Sequence, residues 1–313
     1  MGISRRTALK VLAGTAGALA ASAIRPPACK ASAAATAEAA AGYDGMLYDA
    51  TRCIGCKACM VACNEANDLV PDSRTSDDRW QAPLDLNERT KNIIKLYNGE
   101  GGAYSFVKRQ CMHCVDPACT TACMLGALKK REHGIVTYEA DLCVGCRYCE
   151  MACPFNVPKF EWEKLAPKIV KCELCKHRIA KGQQPACTEV CPTHAVVYGK
   201  RGELLAEAHR RLEEHPDRYV NHVYGEHEVG GTQVLYLASV DFEKLGLPAY
   251  DDRPVPETVR FVQDTALQGM AGPAVLYALL AGVMIRNHAR EDDGDDQGGG
   301  APRDGGPAGE GRS

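Results

Sequence analysis

The sequence predicts an α+β chain built as two nested modules followed by one C-terminal transmembrane helix, and three observations carry that prediction. Sixteen of the seventeen cysteines fall into four groups of four. Short strand signals and one amphipathic helix lie between and after those groups. Near the C-terminal end, Thr265 to Ile285 runs without a charge, bounded by Asp264 and Arg286.

The groups are Cys53, Cys56, Cys59, Cys63; Cys111, Cys114, Cys119, Cys123; Cys143, Cys146, Cys149, Cys153; and Cys172, Cys175, Cys187, Cys191. The first and third have the spacing Cys-x2-Cys-x2-Cys-x3-Cys. This is the bacterial ferredoxin run, in which three thiolates hold one [4Fe–4S] cluster and the fourth ligates its neighbour. Tetrahedral iron prefers soft sulfur, so the chain is expected to hold four [4Fe–4S] clusters on sixteen cysteine ligands. The chemistry is then one-electron transfer, and no residue is singled out as catalytic. A zinc-binding structural protein is the bland alternative, but zinc ribbons use two Cys-x2-Cys pairs per metal, and a third and fourth cysteine at this spacing are surplus to them. His113, His177 and His194 invite a histidine-ligated cluster, yet every group already supplies four thiolates.

The fold follows from which groups pair. Groups two and three are joined by a short stretch that reads as a turn at Ala127-Leu128 and a strand from Gly134 to Tyr138, the compact two-cluster ferredoxin-like pattern. Groups one and four then pair around it. By the fourth-cysteine rule, the ligand sets are Cys53, Cys56, Cys59 and Cys191; Cys172, Cys175, Cys187 and Cys63; Cys111, Cys114, Cys119 and Cys153; and Cys143, Cys146, Cys149 and Cys123. Pro154 and Pro192 follow the last cysteine of groups three and four, where Asn64 and Met124 stand in the others; loop geometry is expected to tolerate the difference. Gly55 and Gly145 sit inside ligand loops, where backbone amides must approach sulfur closely. Lys57, Arg147 and Lys176 between the ligands read as solvated or partner-facing cations.

At the N-terminus, Ser4-Arg5-Arg6-Thr7-Ala8-Leu9-Lys10 precedes an uncharged stretch from Val11 to Ile24, a twin-arginine signal with its apolar core. Cleavage is expected after Ala31-Ser32-Ala33, which removes Cys29, the leftover cysteine. Export would ordinarily make cysteines read as disulfides. A twin-arginine route answers that, because its cargo crosses folded, with iron and sulfide already inserted in the reducing cytoplasm. Residues 1–33 hold five basic side chains and no acidic one, so the remainder carries a net charge of about −8, which argues against nucleic acid as a partner.

Residues 34–246 form the four-cluster domain. Its cysteine-rich part is poor in aromatics, so clusters rather than hydrocarbon are expected to serve as core. Asn64 to Gln110, with Asp77, Asp78, Trp80 and a Gly-rich bend at Gly99 to Gly102, is a long insertion and a candidate docking surface. After the last ligand come a strand at Ala195 to Tyr198, a helix from Glu203 to Glu214 with Leu204, Leu205, Ala208 and Leu212 on one face and a Glu207/Arg211 pair, and a strand from Gln233 to Val240. A Pro-rich linker, 247–264, leads to the transmembrane helix, 265–285, whose length suits about 30 Å of hydrocarbon. Ala274, Ala278 and Gly282 give it a small-residue stripe. Arg286, His288 and Arg290 place its C-terminal end in the cytoplasm; residues 286–313 read as a disordered cytoplasmic tail. The bulk of the chain then lies on the periplasmic side of a bacterial inner membrane.

Three stretches carry a wider likeness: Tyr48 to Cys63, Lys108 to Pro117, and Gly145 to Cys149 continuing through Asn156-Val157-Pro158-Lys159. They resemble the four-cluster iron–sulfur subunits of membrane-bound oxidoreductases, among them dimethyl sulfoxide reductase, respiratory formate dehydrogenase, nitrite reductase and hydrogenase complexes. A twin-arginine signal together with a single C-terminal helix is similar to the hydrogenase 2 type. The resemblance implies an electron-transfer subunit between a [NiFe] pair, the hydrogenase small and large subunits, and an integral membrane quinone-reactive subunit. Nothing in the sequence resembles a nickel or molybdenum site. The alternatives are an iron–sulfur subunit of a formate dehydrogenase or other molybdopterin oxidoreductase and, from another class, a redox-sensing module.

Overall fold

The computed structural model describes residues 40–70, 82–99, 102–165, 167–257, 269–270 and 272–286. The chain divides into two units, Ala28–Val259 and a second formed by Met1–Pro27 with Arg260–Ser313. The expected signal, Cys29, Asp77, Asp78, Trp80 and nearly all of the Gly-rich tail lie outside the described residues.

Strand β1 (Asp44–Asp49) is buried along its whole length and organises the larger unit. It is the middle of a three-stranded sheet, antiparallel to β8 (Val196–Lys200) and parallel to β9 (Val234–Leu237). Successive strand residues face opposite ways, and both faces here are covered. Leu47, Leu235 and Leu237 meet Leu204, Ala208 and Leu212 of α6 (Arg201–Glu214) on one side. Met46, Tyr48, Val234 and Tyr236 join the larger core on the other. The expected Glu207–Arg211 pair forms at 2.7 Å, and Arg211 also reaches the buried Asp49 at 3.0 Å. Asp49 accepts the Tyr219 hydroxyl at 2.8 Å, while its second oxygen accepts the Thr51 amide and hydroxyl at 3.0 and 2.6 Å. That side-chain-closed turn ends β1 and aims the chain at Cys53.

Pairing β1 with β8 joins the segment before the first cysteine group to the segment after the fourth. Helix α1 (Ala58–Ala66) accordingly packs on α5 (Ala186–Glu189). Between groups two and three, β4 (Leu128–Lys130) and β5 (Val136–Tyr138) form an antiparallel hairpin, and α2 (Ala118–Thr121) packs on α3 (Tyr148–Ala152). Leu128, expected in a turn, is a buried strand residue opposite Tyr138. Strands β6 (Lys159–Phe160) and β7 (Ile169–Val170) pair on the way to the fourth group, and α4 (Lys176–Ile179) follows Cys175.

Two expectations are corrected. The second half of the Asn64–Gln110 insertion is core, because β2 (Asn92–Asn98) and β3 (Tyr104–Gln110) form a hairpin that buries Ile93, Ile94, Phe106 and Val107. Tyr48 donates its hydroxyl to the Phe106 carbonyl at 2.7 Å and Tyr236 donates to that of Lys108 at 2.9 Å, tying hairpin to sheet. A hydrocarbon core therefore does exist, completed by Tyr224, Phe242, Leu245 and Leu247 from beyond the cysteine region. Leu247 and Tyr250, whose hydroxyl donates to the Pro154 carbonyl at 2.7 Å, tie the start of the expected linker to this body.

In the second unit, residues 272–286 are helical and exposed throughout. No helix among the described residues is long and apolar enough to cross a membrane. Thr265–Gln268 and Ala271, which the expected span includes, lie outside the described residues.

Candidate metal centres

Each cysteine group is wrapped around a residue with left-handed backbone two positions after its first cysteine: Gly55 (φ 67°), His113 (φ 49°), Gly145 (φ 72°) and Leu174 (φ 52°). Lys57 (φ 59°), Arg147 (φ 65°) and Cys175 (φ 51°) continue the pattern. Left-handed residues among right-handed or extended ones turn N–H groups toward one concavity, the backbone nest that suits anionic iron–sulfur sites. Glycine is required at position 55, where an added Cβ would lie 2.3 Å from the Phe106 ring. His113 takes the same conformation because its buried ring is fixed by Val136, whose amide donates to Nδ1 at 3.1 Å. Burial, with Lys171 and Lys130 nearby, holds that imidazole well below its ordinary pKa and hence neutral. Glycine at two of the four positions was legible in the sequence; histidine and leucine there were not.

The groups also close alike. Gly126, Asn156 and His194, three residues after the last cysteine of groups two, three and four, are left-handed and donate their amides back to Cys123, Cys153 and Cys191 at 3.1, 3.1 and 3.3 Å. Met124 thus sits in the same turn as Pro154 and Pro192. In group one Asn64 lets α1 run on through Cys63 to Ala66.

The fold brings the sixteen thiols into four sets. Cys53 interacts with Cys56 and Cys191, and Cys59 with all three; the four line one cavity beneath Tyr48. Cys172 and Cys187 each interact with Cys63 and Cys175. Cys114 interacts with Cys153, Cys111 and Cys119, and Cys149 with Cys123, Cys143 and Cys146. The sets follow one another: Cys187 lies near Cys59, Cys172 near Cys111, and Cys119 near Cys149. Cys56 at one end and Cys146 at the other are exposed, while Cys63, Cys172, Cys175 and Cys187 are all buried.

Burial pushes the thiol pKa of Cys59 up to about 11 and those of Cys119, Cys149 and Cys187 up to about 12, with repulsion between neighbouring thiolates adding to it. Four buried thiols gathered this way are poorly stabilised as anions unless a bound cation compensates them. None of the sixteen is in a disulfide. Among the described residues, no three His, Cys, Asp or Glu side chains converge closely enough to hold a single metal ion. A cubane asks for less convergence, since each thiolate ligates its own iron corner. The donor chemistry and the nests therefore fit a [4Fe–4S] group.

Lys57, Arg147 and Lys176 are each engaged within the chain. Lys57 donates to the Ala82 carbonyl at 2.7 Å, Arg147 stacks 3.8 Å over the Trp162 ring, and Lys176 pairs with Glu173 at 2.8 Å. Lys108 and Lys171 are buried beside the cysteines, and no sequence argument selected them. Two tyrosines were missed as well. Tyr48 and Tyr138 hydrogen-bond Cys53 and Cys143, the first cysteines of groups one and three, each from five residues upstream. The signal was available in the matching runs Tyr-Asp-Ala-Thr-Arg-Cys and Tyr-Glu-Ala-Asp-Leu-Cys.

The family model of the 4Fe-4S dicluster domain matches residues 103–201. The chain is 39% identical over 286 residues to the hydrogenase-2 operon protein HybA of Escherichia coli, covering 80% of this chain and 86% of that protein. It is 37% identical to a formate dehydrogenase iron-sulfur subunit of Haemophilus influenzae, covering 78% and 83%. The nitrate-inducible formate dehydrogenase iron-sulfur subunit of Escherichia coli is 38% identical over 61% of this chain and 66% of its own length. Likeness of this depth runs well beyond the cysteine groups: the chain belongs to the HybA family of iron–sulfur subunits.

Proposed function

We propose that this chain is the electron wire of a hydrogenase complex, with four [4Fe–4S] clusters on the four thiol sets. Electrons from H2 oxidation by a [NiFe] small and large subunit pair enter at one end and leave to an integral membrane quinone-reactive subunit. The observation that carries this reading is the linear succession of the sets. The inner set of Cys63, Cys172, Cys175 and Cys187 is wholly buried, its inner neighbour is buried at Cys111 and Cys119 and half-buried at Cys114 and Cys153, and the two outer sets each put one cysteine, Cys56 or Cys146, at the surface. A carrier that only stored electrons would need no second exit. When bound, the clusters supply one-electron chemistry, the electron lost by one being gained by the next. The chain supplies their spacing, exclusion of water from the set of Cys63, Cys172, Cys175 and Cys187, and the nests that stabilise their negative charge. Leu142, Val144, Tyr148 and Met151 stand exposed around Cys146, an apolar surface that a partner subunit would cover. In this reading the twin-arginine signal exports the folded chain, and Thr265 to Ile285 anchors it on the periplasmic side.

The test is functional and analytical together. The full chain should contain about sixteen irons and sixteen sulfides, four of each per cubane. Deleting Thr265 to Ser313 should leave H2 oxidation with a soluble dye intact while H2-dependent quinone reduction falls. Replacing Arg5 and Arg6 by lysine should hold the precursor in the cytoplasm. Stoichiometric zinc would refute the cofactor, and unchanged quinone reduction the anchor. The likeness to formate dehydrogenase subunits over 78% of the chain favours one second reading; formate driving the same quinone reduction would select it.

A further inference from the structure

Two lysines are enclosed in this protein, and both lie where one thiol set gives way to the next. Lys108, on β3, is 0% exposed, and its ammonium nitrogen has no hydrogen-bond partner in the protein. Its electrostatic neighbours are Cys187, Cys59, Cys63 and Cys172, drawn from the first set and the one that follows. Lys171 is 2% exposed; its ammonium donates to the carbonyls of Val136 and Cys172 at 2.5 and 2.8 Å and stands 4.0 Å from the Cys111 sulfur. Its neighbours include Cys111, Cys119 and Cys172, so it lies at the next junction. An ammonium with an unused donor is costly to bury unless an anion meets it.

We propose that Lys108 and Lys171 are fixed charge bridges at the first two junctions of the wire, each stabilising the reduced form of the two clusters it separates. The proposal rests on the ligand sets given above. A reduced cluster carries one more negative charge than an oxidised one, and cluster potential follows net charge and hydrogen bonding at sulfur. A buried cation therefore raises the potential of the clusters on either side of it. Lys171 spends two donors on carbonyls and acts mainly through its charge, whereas the free donors of Lys108 are available to cluster sulfur. The fourth set, Cys143, Cys146, Cys149 and Cys123, is beside neither lysine and serves as an internal control.

Redox titration of the anaerobically purified full chain, followed by electron paramagnetic resonance, tests this. Lys108→Met should shift two of four midpoint potentials negative, each by at least tenfold in the reduction equilibrium, about 59 mV for a one-electron couple. Lys108→Arg should restore most of the shift. Lys171→Met should shift two clusters as well, one shared with Lys108, and the double variant should leave only one cluster at its original potential. Four full clusters with unmoved potentials overturn the proposal alone. An iron content short of four clusters in the unaltered chain overturns the ligand sets, and the bridges with them. Should the methionine variants fail to fold, lysine-15N labelling of the unaltered chain gives the same answer. Nitrogen coupling to the reduced clusters in pulsed resonance is expected, and its absence refutes the bridges.

Discussion

The two cysteine modules are alike in ligand loops and unlike in what surrounds them. Groups one and four are closed by the β8-β1-β9 sheet, α6 and the β2–β3 hairpin, and their cysteines sit in a core with Ile93, Ile94, Phe106, Tyr224 and Tyr236. Groups two and three divide: Cys111, Cys114 and Cys153 reach that same core, whereas Cys119 and Cys149 share a small cluster with Leu128, Val136, Phe160 and Ile169. Met124, Leu125, Leu142, Val144, Tyr148 and Met151 there point outward. The outer module is therefore expected to hold itself by apolar burial, and the inner one to lean on its metal and on the outer one. A repeated sequence motif has been given two different surroundings by the chain added around it.

Iron removal should separate the modules most sharply. After chelation under reducing conditions, amides of β4, β5, α2 and α3 should exchange within seconds to minutes, while those of β1, β9 and α6 keep most of their protection. Hydrogen exchange with mass spectrometry reads both at once. Equal loss in both regions would show that the hydrocarbon core does not stand without metal.

Single ligands come next. Cys63→Ser and Cys123→Ser each remove a fourth cysteine, and each should damage the cluster held by the other group of its pair, leaving three intact. Cys63→Ser should leave the chain folded, since α1 keeps its packing on α5, whereas Cys123→Ser should raise exchange through the β4–β5 hairpin. Iron analysis with resonance spectra identifies the damaged cluster; damage to the set of Cys53, Cys56 and Cys59 by Cys63→Ser would break the nested assignment.

Much of this contrast was legible beforehand. Sequence distance and the fourth-cysteine rule pair group one with group four and group two with group three, and the packing of α1 on α5 and of α2 on α3 runs along the same pairs. The helix that became α6 was equally plain from the period of Leu204, Ala208 and Leu212. The hairpin was hidden: Ile93, Ile94 and Leu96 do not strictly alternate, as befits a strand covered on both faces, and the charged Lys95 and Lys108 interrupt its apolar pattern. Lys108 was obscured for the same reason, since a lone lysine in a strand says nothing of the anions that other segments bring to it. Left-handed His113 and Leu174 were illegible because only tertiary contacts hold such residues there.

Asp49 measures how much of the outer module is independent of iron. Its carboxylate is buried among Arg211, Tyr219 and Thr51. Asp49→Ala leaves Arg211 buried with only Glu207 and should cost about 3 kcal/mol. The loss should appear as faster exchange in β1 and α6 with the iron content of the inner module unchanged. Loss of iron from groups two and three in this variant would mean that the modules do not differ in the way their surroundings suggest.

Glu207 gives the smallest and most discriminating effect, because it holds the same Arg211 from the solvent side. Arg210 and then Arg211 hold its pKa down at about 2, against an ordinary 4.5. A carboxyl whose folded pKa is depressed contributes stability above its unfolded value and loses it as pH falls toward the folded one. Glu207 is itself partly exposed, so water and salt screen its pairs, and Glu207→Gln should cost only about 0.5 kcal/mol near pH 7. The difference between this variant and the unaltered chain, read from α6 amide exchange, should shrink as pH falls from about 4.5 toward 2 and as salt is added. Asp49→Ala should show far less salt dependence, because its ion pair is shielded from solvent. A salt-insensitive Glu207 effect as large as that of Asp49 would mean that α6 is held to the sheet by its charged rim rather than by the apolar face it buries on Leu47, Leu235 and Leu237.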